Sequence, residues 1–203
     1  MPEPRRNRVT PGSEVVAIPL RGAWTGNRGN LHRDGNVVRM WATHHWLICT
    51  LTWKDTWHEQ WLPGRLTWLF FHDEAVALAS GHRPCARCRR ESYDTYREAL
   101  GTTDGTQSYE QIDRRLHSER LVTGTHRRRL HEVPWTQLPD GAFVVERGQA
   151  AVTKGRELIA WTPTGYSERT RRPKSGTAEL LTPPSTLAAI QEGYPVQFDA
   201  TVA

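Results

Sequence analysis

The chain predicts an α+β fold in two parts: an antiparallel β-meander with short helices, then a helix and a small β-rich unit. Three observations predict it. Short strand-like runs broken by turn residues fill positions 15–71. Two capped helix patterns follow, each with a start and a stop signal. From Trp135 onward, short strand patterns recur between Pro-, Gly- and Asp-containing turns.

Residues 1–12 are rich in Pro and Arg and are expected to be loosely ordered. Residues 15–20 read as a short strand. Positions 21–30, RGAWTGNRGN, match no nucleotide-loop spacing and read as a glycine-rich surface loop, with Asn27 and Arg28 as candidate base or phosphate contacts. Arg33-Asp34-Gly35-Asn36 signals a hairpin. Residues 37–53 are strand-like, with Trp46, Leu47, Ile48, Cys49 and Leu51 nearly continuous, and 66–71 form a further strand.

Asp73 is placed to cap a helix over 74–80, and Gly81 to end it. Pro84 then leads into Cys85-x2-Cys88, and residues 91–100 read as a helix with Tyr93, Tyr96, Arg97 and Leu100 at spacings of three and four. GTTDGTQ at 101–107 reads as a linker, dividing a domain over 13–100 from one over 108–203. Ser108 with Gln111 forms a capping box for a helix over 108–121. Strands over 142–146, 149–153, 157–162 and 178–181 follow. The run 168–173 reads as an exposed loop, and a helix starts at Thr182-Pro183-Pro184-Ser185 and runs through Gln191.

Net charge is +5 over 203 residues, and Arg outnumbers Lys. The arginines cluster at 86–90, 113–115 and 126–129, which suggests a basic face. Nine tryptophans are present, seven of them between Trp24 and Trp68. Most belong in the core, and one or two can serve as stacking platforms for an unpaired base. No apolar run nears the roughly 20 residues of a membrane span, and the N-terminus has no hydrophobic signal core. A cytoplasmic monomer without a membrane partner is expected.

The spacing Cys85-x2-Cys88 lets two thiolates meet one tetrahedral zinc, and the nearby arginines favour the thiolate form. Cys49 is the remaining cysteine and the evident third ligand. The run WLFFHDEAVALASGHRPCARCRR resembles the second half of the Ada-type zinc-binding module, whose pattern is an aromatic strand, an Ala-rich helix and GFRPCKRC. The likeness is distinctive over residues 70–90 and reaches at most 24–100. It implies a zinc knuckle with four ligands, in a protein that touches DNA.

In that module a C-x3-C pair precedes the C-x2-C pair, and Cys49 falls at the second position of the first pair. The first position has no cysteine. Spacing points to His45, although in a regular strand residues 45 and 49 lie about 13 Å apart at roughly 3.3 Å per residue. His32, in Gly29-Asn30-Leu31-His32, is the preferred fourth ligand, His45 is next, and His82 and His72 are outsiders. In the family that first cysteine accepts the alkyl group in phosphotriester repair. A histidine forms no stable thioether, so that chemistry does not carry over, and a structural zinc is expected.

The helix over 108–121 carries Asp113, His117 and Glu119. Asp113 and His117 share a face as a candidate acid–base pair, and the plain alternative is a solvated face with an Arg115–Glu119 ion pair. Arg28, Arg87, Arg89, Arg90, Arg127, Arg128 and Arg129 are the candidate DNA contacts. These readings predict a zinc-containing DNA-binding protein of the repair or modified-DNA class. As an enzyme it is expected to be a glycosylase excising a damaged or modified base. The alternative is a non-catalytic zinc DNA-binding regulator or damage sensor.

Overall fold

A computed structural model describes residues 4–54, 56–57, 59–104 and 107–202, with backbone alone for 56–57 and 102–104. The fold is α+β. Its first half contains strands β1 (Arg8–Val9), β2 (Val15–Val16), β3 (Trp24–Asn27), β4 (His32–Arg33), β5 (Asn36–Val37), β6 (Leu47–Cys49), β7 (Thr52–Trp53), β8 (Thr56–Trp57) and β9 (Leu69–Phe71). Helix α1 (Glu74–Ala79), strand β10 (Arg83–Pro84) and helices α2 (Arg90–Asp104) and α3 (Tyr109–Arg120) follow. The second half holds β11 (His131–Pro134), β12 (Phe143–Glu146), β13 (Gln149–Lys154), β14 (Glu157–Thr162), β15 (Gly165–Arg171), β16 (Thr177–Leu180) and α4 (Pro184–Gln191).

The first sheet has the order β10-β6-β3-β9-β1-β2, while β4–β5 and β7–β8 are separate hairpins. Pairing at its centre is antiparallel, but β10 joins β6 in parallel and β1 joins β9 in parallel, so the sheet is mixed. The N-terminal stretch expected to be loose supplies β1. Val9 is buried there, Arg8 donates to the Leu20 carbonyl at 2.7 Å, and its guanidinium lies over Phe70. The Arg8 head is held by a backbone carbonyl and a ring face while its stem packs, which composition alone hides.

Gly26 sits where β3 and β6 approach most closely. A Cβ there would lie 1.9 Å from the Leu47 carbonyl oxygen, so the strand needs glycine. The stretch read as a surface loop is therefore partly sheet, with Asn27 in β3 and Arg28 buried beyond it.

Asp73 caps α1 by accepting from the Val76 N–H at 2.9 Å, and Gly81 at φ 88° ends the helix. All six residues of α1 are buried. Ala77 and Leu78 pack into the first core with Ile48, Phe71 and Tyr96, while Ala75, Val76 and Ala79 pack against Phe143, Val152 and Ile159 of the second sheet. One short Ala-rich helix thus serves both sheets. Its charged residue, Glu74, is fully buried and meets Arg89 at 2.7 Å and the Tyr194 hydroxyl at 2.6 Å.

α2 runs to Asp104, into the stretch read as a linker. The capping box of α3 is present, with Ile112 and Leu116 in the first core. The second sheet is fully antiparallel in the order β11-β16-β12-β13-β14-β15. The charged run expected as a loop is largely edge strand β15, whose Arg and Glu side chains blunt an open edge. Among the described residues no helix is long and apolar enough to cross a membrane.

Candidate functional site

β6 ends on Cys49, and the parallel pairing of β10 brings Pro84 opposite Ile48. The Cys85 N–H then bonds the Ile48 carbonyl at 2.9 Å, which sets Cys85 beside Cys49. A turn carries the chain to Cys88, and the Arg89 N–H returns to the Cys85 carbonyl at 3.0 Å as α2 begins. The three sulfurs lie within 4.8 Å of one another in a largely buried position. Thiolates on one tetrahedral ion at about 2.3 Å are spaced in this range, so Cys49, Cys85 and Cys88 can bind a metal ion.

The backbone already favours negative charge at this point. The Arg87 N–H donates to Cys85 Sγ at 3.4 Å. Thiol hydrogen bonds from Cys49 and Cys88, helped by the backbone N–H groups of Cys88 and Arg87, hold Cys85 down to about 2. Donating those bonds pushes Cys49 up.

None of the four candidate histidines joins the cysteines. His32 donates from Nε2 to the Leu62 carbonyl at 3.1 Å, so Nδ1 must accept from Thr67 Oγ1 at 2.6 Å. No ring lone pair is left for a metal, because the β4–β5 hairpin turns His32 into its own buried network. His45 bonds Asp113, His82 accepts from Arg28, and His72 faces Asp199 at 3.6 Å. Among the described residues the cluster offers three ligand atoms.

Asp113 is buried, contrary to a solvated helix face. Its carboxylate takes a bidentate pair of bonds from Arg83 Nε and Nη2, each 2.7 Å, and accepts from His45 Nδ1 at 2.6 Å. His45 therefore replaces His117 as its partner. The His45 side chain is 48% exposed and stands on a cavity of about 410 Å³ with Trp41, His44, Glu110 and Arg114. With Nδ1 tied to Asp113, Nε2 is the nitrogen that can exchange a proton with a ligand.

His117 instead stacks on His44, with centroids 4.0 Å apart and planes at 21°, and Trp41 stands edge-on to it at 4.6 Å. This aromatic pile walls a cavity of about 440 Å³ that residues 121–126 and Arg114 also line. Burial, then the neighbouring Arg120 and His44, lower His117 to about 4. An unfolded imidazole takes its proton near 6.5. The unfolded chain therefore binds protons first, and stability is complete above that pH and falls as pH drops towards 4. Buried His82 acts in the same direction. His117→Gln is expected to flatten this acid limb of a Tm-against-pH curve. An unchanged limb would show that His117 titrates normally.

Glu119 holds another element in place. Its oxygens accept from the Ser185 N–H at 3.0 Å and the Ser185 hydroxyl, capping the start of α4, and Arg115 pairs with it at 3.3 Å. This accounts for both oxygens without a catalytic role.

The candidate DNA-contacting arginines divide by burial. Arg87 and Arg90 are exposed beside the cysteines, Arg87 over Trp53 at 4.4 Å and Arg90 paired with Asp94 at 2.8 Å. Arg127 is exposed and Arg129 half-buried. Arg89 is buried, bonded to Glu74 and lying over Trp24. Arg28 is fully buried, and Arg128 donates to the Ala79 and Leu181 carbonyls. Arg28 and Arg89 are therefore packing residues, and Arg128 is half-buried.

Sequence reasoning missed Trp41, His44 and Arg114 on the cleft, and Arg83 and His45 as the partners of Asp113. The one signal for them is the aromatic and histidine density of Trp41 to Trp46. Comparison with family models, curated proteins and solved structures finds no match for this chain.

Proposed function

We propose that this chain is a zinc-containing DNA-binding protein of the repair or modified-DNA class, whose cleft beside α3 receives a base turned out of the duplex. The observation that carries this reading is the Trp41–His44–His117 pile opening on a cavity of about 440 Å³ that Arg114 also lines. Stacked aromatic faces hold an extruded base whatever its sequence, and cations beside them hold its backbone. A neutral His117 keeps its part of the wall uncharged.

The three sulfurs suit zinc better than a hard cation. The ion would join β6 to the start of α2 and hold Arg87 and Arg90 outward, a structural role. The run RPCARC and its Ada-type likeness support the same reading. Reduced thiols also suit a cytoplasmic setting.

If the bound base is excised, His45 is the acid–base group, acting from the adjoining cavity that shares Trp41, His44 and Arg114 with the cleft, and buried Asp113 orients it. The C1′–N bond breaks, water supplies hydroxyl to C1′, and its other proton goes to the departing base. The test is a panel of labelled duplexes, each with one damaged or modified base, followed by alkali and a gel. Cleavage at one base type, lost in His45→Gln, is the expected result for an excision enzyme. Bound but uncut DNA throughout would place the protein with damage sensors and regulators. No binding even at low salt, where phosphate contacts are strongest, would overturn the DNA reading.

A further inference from the structure

Beyond the aromatic wall lies a second cavity of about 250 Å³, lined by residues 12–14, Arg28, Met40, Trp41, Trp46 and Arg127–Arg128 among others. Arg28 forms its floor. That side chain is fully buried, with its guanidinium 3.9 Å over the Trp46 ring. Nε donates to His82 Nε2 at 3.1 Å, and Nη1 donates to the carbonyls of Ser13 at 2.9 Å and Met40 at 3.4 Å. Both carbonyls belong to the cavity wall, which brings the guanidinium to its edge.

Three donors on this wall are buried and have no hydrogen-bond partner among the described residues: Arg28 Nη2, Trp41 Nε1 and Arg128 Nε. Buried N–H groups are almost always paired, and a buried cation without a carboxylate is costlier still. Arg28 and Arg128 form no ion pair with a carboxylate among the described residues, and neither does Arg120, which also lies 3.9 Å over Trp46. Burial, then Arg128, depresses Arg28, and burial, then Arg28, depresses Arg120. Nearby acids are few. Asp113 and Glu119 favour Arg120 and Arg128 from a distance, and Glu14 on the rim accepts from Thr10 Oγ1 at 3.2 Å.

We infer that this cavity is an anion site for a phosphate group, with Arg28, Trp41 and Arg128 as its donors. A phosphate presents several acceptor oxygens to the unpartnered N–H groups of these three lining residues, and its charge answers a cluster that otherwise has too little. Trp41, Leu121 and His126 line this cavity and the base cleft alike, so the indole stands between them. The site does not need the DNA reading, but under it the phosphate beside an extruded base is the natural source.

The test uses the full chain and inorganic phosphate. At constant ionic strength, phosphate replacing chloride is expected to raise Tm in a saturable way. Arg28→Met, which removes an unpaired buried charge, should still fold and should lose that response. Should it not fold, Trp41→Phe keeps an aromatic ring while removing the indole N–H with its five-membered ring, and is expected to weaken phosphate binding several-fold. Equal Tm in phosphate and chloride would overturn the inference, as would undiminished phosphate binding in Trp41→Phe. Binding of a nucleoside but not of phosphate would leave the base cleft and remove the anion site. Phosphate binding by a protein that ignores DNA would do the reverse. A short single strand that displaces phosphate identifies the backbone as the source, and one that does not identifies free phosphate.

Discussion

Replacing Cys85 with Ser is expected to abolish metal binding at the three-cysteine cluster and to destabilise the first half of the chain. Cys85 accepts the hydrogen bonds of both other thiols and of the Arg87 N–H, so it is the centre of the cluster. The cluster ties the end of β6 to the turn that starts α2, and β10 is held to the sheet through β6 alone. Serine is a poor zinc ligand and leaves the Cys49 and Cys88 thiols without the third sulfur of the cluster. Structural zinc contributes on the order of 10 kcal/mol to small zinc domains, comparable with the whole stability of an ordinary domain. The core around Leu78, Tyr96 and Leu116 offsets part of the loss, so a partly folded, low-Tm protein is the expected product. Elemental analysis should give about one zinc per chain in the parent and none in Cys85→Ser. A metal-free parent with a Tm equal to that of the variant would remove the zinc from this account.

The elements legible in the sequence are those whose causes are local. Asp73 and Gly81 bracket α1, Ser108 and Gln111 start α3, and turns set off β12 to β14 at nearly the expected bounds. The cysteine cluster was legible because C-x2-C is itself a local geometry and only Cys49 remained to complete it. The pairings that build the cleft are not local. Asp113 meets His45 across 68 positions and Arg83 across 30, and Glu119 caps a helix 66 residues on. Nothing in a four-residue helical spacing separates Asp113–His117 from Asp113–His45. Burial of arginine was equally hidden. Arg87 and Arg89 are neighbours in one basic run, yet Arg87 is exposed and Arg89 lies between Glu74 and Trp24. The fold places one on each side of the turn. A basic cluster in a sequence therefore sums surface charge with core charge, and the surface share here is smaller than the letters imply.

Asp113→Asn is expected to cost about 3–5 kcal/mol, the range for breaking a buried ion pair from one side. The substitution keeps the size of the side chain, removes its charge and turns one acceptor oxygen into a donor. It leaves Arg83 buried at 3% exposure with a neutral amide in place of a bidentate carboxylate. Arg83 lies in β10, two residues before Cys85, and Asp113 lies on α3, so the pair fastens that helix to the strand carrying the cysteines. His45→Gln removes the other bond to Asp113, but half of that side chain is in water. Its loss is expected to cost no more than about 1 kcal/mol. Urea denaturation of both single variants and the double variant separates the two roles. A large cost for Asp113→Asn with a small one for His45→Gln makes Arg83 the structural partner and leaves His45 free to serve the cleft. Equal costs would make His45 part of the same structural network, and its proposed proton exchange with a bound base would lose its basis. The double substitution Arg83→Met with Asp113→Leu bears on why the charges are there. If it restores stability, as apolar replacements of buried pairs often do, the pair serves to aim Asp113 at His45 more than to hold the fold.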